Sequence, residues 1–158
     1  MRDWKQAARG LLLGALALAA APAPAQEEVE LDWRWRAEAV PGAPGEVELV
    51  ANAPVRPGWI VYAAGFDAGD FGPRPARLAV ESGGQALQPL RAEGAQERSG
   101  SNFAGEYRYA YFAGQATFRQ RVRLEPGARE VSGTLAGQSC HEGSGLCTLF
   151  KAPFAVVP

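Results

Sequence analysis

The chain has 158 residues, with 16 Lys and Arg against 17 Asp and Glu, 47% apolar and 21% charged. A near-neutral balance excludes nucleic acid as the partner, because phosphate binding needs a basic field, and this apolar content excludes disorder as the main state. With 19 Gly and 12 Pro scattered between short apolar runs, the sequence reads as a turn-rich β protein about one domain long.

The N-terminus reads as an export signal. Arg2, Lys5 and Arg9 precede a twelve-residue apolar run over residues 10–21, and Ala23-Pro24-Ala25 supplies a small-residue cleavage site before Gln26. Twelve apolar residues are too few to cross a hydrocarbon core of roughly 30 Å. The expectation is a cleaved signal over 1–25 and a single periplasmic domain over 26–158, with no membrane insertion of the mature chain. That domain carries 13 basic against 16 acidic side chains, a net charge of −3.

In chain order, residues 29–40 alternate strictly, with Val29, Leu31, Trp33, Trp35, Ala37 and Ala39 on one face, which predicts a strand whose tryptophans fill a core. The turn 41–45 (PGAPG) leads to a second strand over 46–51, making a hairpin. Residues 59–63 (WIVYA) and 76–81 predict further strands, and 85–91 a weaker one. The stretch 93–102 is polar and shows no period. Two patterned strands follow at 106–112 (EYRYAYF) and 116–124, the latter with Phe118 and Val122 on one face and Arg119, Arg121 and Arg123 on a solvated one. Strands over 130–137 and 152–157 close the chain. Seven to nine short strands with frequent turns predict an all-β, immunoglobulin-like antiparallel β-sandwich.

Cys140 and Cys147 are the only cysteines, with six residues between them, in a chain expected to enter an oxidising compartment. They read as an intramolecular disulfide. Such a bridge is either a structural staple, worth about 2.5 kcal/mol for so short a loop, or a centre for thiol-disulfide exchange. His141 beside Cys140 favours exchange, since an imidazolium can stabilise a thiolate. A metal held by Cys140, His141 and Cys147 is the third reading; it lacks a visible fourth ligand, and adjacent residues rarely bind one ion. No metal and no cofactor are expected. Ser139 or Ser144 with His141 lacks the setting of a hydrolytic nucleophile, and Asp67, Asp70 and Glu142 form no carboxylate pair or calcium loop.

Four segments carry a family resemblance. Gly133-Thr-Leu-Ala-Gly-Gln-Ser-Cys140 with Cys147-Thr-Leu-Phe-Lys-Ala-Pro153-Phe-Ala-Val156 resembles the disulfide-bearing hairpin of the N-terminal periplasmic domain of the DsbD thiol:disulfide interchange family. Pro57-Gly58-Trp59-Ile60-Val61-Tyr62 is similar to that domain's Gly-aromatic-apolar-Tyr strand, Gly72-Pro73-Arg74-Pro75 to its Gly-Pro-x-Pro turn, and Phe112-Ala-Gly-Gln-Ala-Thr-Phe118 to an aromatic strand pair. The resemblance runs in order over about residues 29–157. It implies an immunoglobulin-like fold and catalytic Cys140 and Cys147, with Cys147 as the attacking sulfur. It also implies a membrane-embedded electron donor and thioredoxin-like periplasmic acceptors. It places Asn102 and Phe103 in a cap over the disulfide and Tyr62 near it. The chain departs from the family in its longer inter-cysteine loop and in Thr148-Leu149 where prolines usually follow the second cysteine. It ends at Pro158 without the family's membrane helices, so the donor is expected to be a separate protein. A non-catalytic exported sandwich that binds a protein partner through its loops is the alternative.

Overall fold

The computed structural model describes residues 30–158. The expected signal over 1–25, the cleavage point at Gln26 and Val29 lie outside the described residues; the first strand, expected over 29–40, begins at Arg34, with 30–33 outside it. Among the described residues there are eleven strands and no helix, and so no helix long and apolar enough to cross a membrane.

The strands form two antiparallel sheets. In the five-stranded sheet, β1 (Arg34–Ala39) pairs with β2 (Glu46–Pro54), β2 with β9 (Gln115–Leu124), and β9 with the short β5 (Gly84–Ala86) and β6 (Arg91–Ala92). The six-stranded sheet runs β11 (Cys147–Val156), β10 (Val131–His141), β3 (Trp59–Tyr62), β8 (Gly105–Phe112), β7 (Gln96–Asn102), with β4 (Arg77–Ser82) sharing an edge of β10 with β3. The expected immunoglobulin-like sandwich is the one observed.

Alternation builds the core between the sheets. Leu49, Ala51, Ala116, Phe118 and Val122 are buried from one side, Val61, Phe112, Leu135 and Phe154 from the other. Trp35 stacks on Phe154 with ring centroids 4.2 Å apart, and Trp33 lies between Phe118 and Phe150. Both tryptophans thus pack against the core between the sheets, as their spacing predicts. Gly137 makes room for this arrangement: a Cβ there would lie 2.6 Å from the Phe150 ring.

Several elements differ from the sequence expectation, among them β10, which runs on to His141 rather than 137 and so carries Cys140 within a strand. Residues 96–102 form strand β7, which has no apolar face because it lies at the sheet edge and is exposed along most of its length. β11 begins at Cys147 rather than 152; exposed Leu149 and the strand proline Pro153 obscure its period, and a proline is tolerated because β11 is also an edge. The weak strand over 85–91 is two short pieces, β5 and β6. The arginine face of β9 is ion-paired rather than simply solvated. Arg119 binds Glu38, Glu48 and Glu93, while Arg121 and Arg123 both bind Glu46.

Candidate functional site

The β10–β11 hairpin keeps one register over ten pairs and ends at Cys140 opposite Cys147. Opposed residues in antiparallel strands point to the same face. The two sulfurs are bonded, with Cα atoms 4.0 Å apart. A five-residue loop closes beyond them, held by His141 N donating to Leu146 O at 2.8 Å and Gly145 N donating to His141 O at 2.8 Å.

Register then determines what surrounds the disulfide. Cys140 lies opposite Ile60 on β3, and Tyr62 opposite Tyr111 on β8. These residues therefore share the outer face of the six-stranded sheet with both cysteines, and Ile60, Tyr111 and Cys140 form a small buried cluster with Tyr62 and Tyr109 packed against it. Tyr107, Tyr109 and Tyr111 alternate along β8 with neighbouring rings 6.0 Å apart, and Tyr62 meets Tyr109 edge-on at 5.5 Å. All four tyrosines of the chain thus lie on the disulfide's face. Burial holds the Tyr62 hydroxyl above its ordinary pKa, with Tyr109 adding to the effect, so it stays a neutral phenol.

The two sulfurs are not equivalent. Cys140 is 5% exposed, lying within the cluster, while Cys147 on the edge strand is exposed. His141 is the next residue along the strand and points to the opposite face, opposite Trp59. Its ring meets Trp59 edge-on at 5.2 Å, and its Nδ1 accepts the Ser144 backbone N–H at 3.1 Å. The imidazole therefore contacts the loop between the cysteines. Asn102 ends β7 opposite Gly105, and Phe103 with Ala104 forms the turn of the β7–β8 hairpin. Phe103 is 84% exposed and packs on Phe71 with centroids 4.5 Å apart, and Asn102 Nδ2 donates to Phe71 O at 3.2 Å. Tyr62 is beside the disulfide cluster; Phe103 stands at the far end of the tyrosine row.

Four residues of the site escape sequence reading: Ile60, Tyr109, Tyr111 and Arg98. The period-two tyrosines of 106–112 carry the signal for two of them, but only the strand order shows that their face is the disulfide's. Arg98 falls in the polar stretch that becomes β7. Among the described residues no three His, Cys, Asp or Glu side chains converge as a metal site, and each sulfur is engaged by the other.

No family model and no curated protein matches this chain. Solved structures do. The N-terminal periplasmic domain of ScsB from Proteus mirabilis superposes with a TM-score of 0.53 at 15% identity, over 78% of this chain and 44% of that one. The reduced N-terminal domain of Neisseria meningitidis DsbD aligns at 13% identity with a TM-score of 0.45, over 70% of this chain and 76% of that one. This chain spans less than half of the ScsB structure. The likeness is one of fold: an immunoglobulin-like sandwich of the ScsB N-terminal kind, here with a cross-strand disulfide at the end of a hairpin. That fold is the one the sequence resemblance implies.

Proposed function

We propose that this chain is a periplasmic thiol-disulfide exchange module, passing electrons through Cys140 and Cys147 to thioredoxin-like proteins from a membrane-embedded donor. The observation that carries the reading is the asymmetry of the sulfurs, one buried and one exposed. Exchange needs one sulfur that a partner can reach and one that can resolve. In the reduced module the Cys147 thiolate attacks a partner disulfide, forming a mixed disulfide and releasing one partner thiolate. Cys140, as thiolate, then attacks Cys147 Sγ, re-forming the intramolecular bond and releasing the second partner thiolate. Two electrons pass to the partner, whose thiolates take up protons. The donor's dithiol restores the module by the reverse sequence at Cys147. His141 contributes through the loop, its Nδ1 fixing Ser144 and so the approach to the exposed sulfur.

Single-cysteine variants test the assignment. Cys140→Ser should trap thioredoxin-like periplasmic proteins as mixed disulfides, and Cys147→Ser should not. Trapping by Cys147→Ser alone would reverse the roles. Trapping by neither, with a reduction potential below about −300 mV, would leave a structural staple.

A further inference from the structure

Tyr111 lies on the outer face of its sheet yet is only 5% exposed. What covers it is Arg98, reaching across from the edge strand β7. The guanidinium carbon sits 4.5 Å from the Tyr111 ring centroid, and Nη2 donates to the Tyr111 hydroxyl at 2.7 Å. Nη1 donates to Glu142 Oε1 at 2.9 Å, and Glu142 is the second residue after Cys140. The backbone N–H of Glu142 in turn donates to Gly58 O at 2.8 Å. One side chain therefore ties together β7, β8 and the inter-cysteine loop. Both ends of this tie border Cys140: Tyr111 packs in its cluster, and Glu142 begins the loop that leaves it. None of Arg98's partners lies on β11, the strand of Cys147.

We propose that Arg98 is a positioning residue that decides which sulfur an incoming thiol can reach. It clamps Tyr111, which packs beside Cys140, and the 142–146 loop that leaves it, closing the approach to Cys140 and leaving Cys147 open. An isolated exposed ion pair would be a weak clamp. Here the same guanidinium also stacks on a ring and bonds its hydroxyl, which needs a planar fork that lysine lacks. The inference rests on the exchange reading for its purpose, while its test does not depend on any partner.

The test is site-resolved alkylation. The reduced full-length mature chain is pulsed with limiting iodoacetamide, and modification of Cys140 and Cys147 is followed separately by peptide mass spectrometry. In the parent protein Cys147 should react on the order of tenfold faster than Cys140, following exposure. Arg98→Met should raise the Cys140 rate about fivefold or more and leave Cys147 within about twofold, with Arg98→Lys between the two proteins. Glu142→Gln, a change at an exposed loop position, should move the ratio in the same direction and serves if Arg98→Met does not fold. An unchanged Cys140 rate in both variants would overturn the proposal. So would a parallel rise at both cysteines, the mark of general loosening. Failure of partner trapping with a shifted alkylation ratio would sink the exchange reading and spare the clamp; trapping with an unshifted ratio would do the opposite.

Discussion

The inner side of the disulfide hairpin is fitted residue by residue. Ser139 is 1% exposed, and its hydroxyl donates to Ile60 O at 2.9 Å, joining β10 to β3 one residue before Cys140. Ser139→Ala removes this hydrogen bond, so a loss of about 1 kcal/mol is expected in urea unfolding. Gly137→Val should cost more, roughly 2–3 kcal/mol, because the Phe150 ring has no room to yield between Trp33 and β10. At the hairpin tip, Phe103→Ala removes the stacking on Phe71 and loosens the tie between the turn and the segment before Gly72. Because Phe103 stands at the far end of the tyrosine row, dithiothreitol should reduce the disulfide of this variant at the parent rate, with the far-ultraviolet circular dichroism unchanged. Faster reduction would mean that the turn reaches over the disulfide as a cap.

At the scale of elements, the outer face of the five-stranded sheet depends on pH through its carboxylates. Hydrogen bonding by Arg123 holds Glu46 below its ordinary value of 4.5, with Arg121 acting in the same direction against the opposing effect of burial. Glu38 is lowered likewise, by Arg119 first and then Arg36. A carboxyl depressed on folding stabilises the fold above its unfolded value and loses that contribution as pH falls through the folded value. Urea midpoints should therefore be flat from pH 7 to about 5 and decline below about 4.5. Glu46→Gln should start lower and decline less. A variant that declines as steeply as the parent would show that Glu46 is not linked to stability. This face also marks how far the sequence could be read. The alternation at 116–124 gives the strand and its two faces, but the glutamates opposite the arginines are supplied by β1, β2 and the 93 position, so their pairing is a matter of sheet order. The site divides the same way. Two cysteines in a chain expected to be exported predict the bridge, whereas its tyrosine neighbours depend on β3 lying between β8 and β10. β7 was illegible because an edge strand exposed on both faces leaves no periodic trace.

For the whole molecule, an exchange module must keep its fold in both redox states. The two large core clusters centre on Phe112, Phe118 and Leu135, and on Leu49, Val122 and Phe154. The disulfide belongs to neither; Cys140 is part of the separate cluster with Ile60 and Tyr111. Beyond the bridge, the β10–β11 ladder continues for nine further pairs that do not depend on it. Reduction therefore releases only the short loop, whose closure contributes about 2.5 kcal/mol in the chain-entropy account. For a domain of this size that corresponds to a fall in Tm of roughly 10 °C, with the β-sheet spectrum retained. Thermal unfolding of the oxidised protein and of the Cys140→Ser/Cys147→Ser chain measures it directly. Loss of cooperative unfolding in the double variant would mean that the bridge holds the sandwich together, and the dithiol form required for exchange would then have no folded module to carry it.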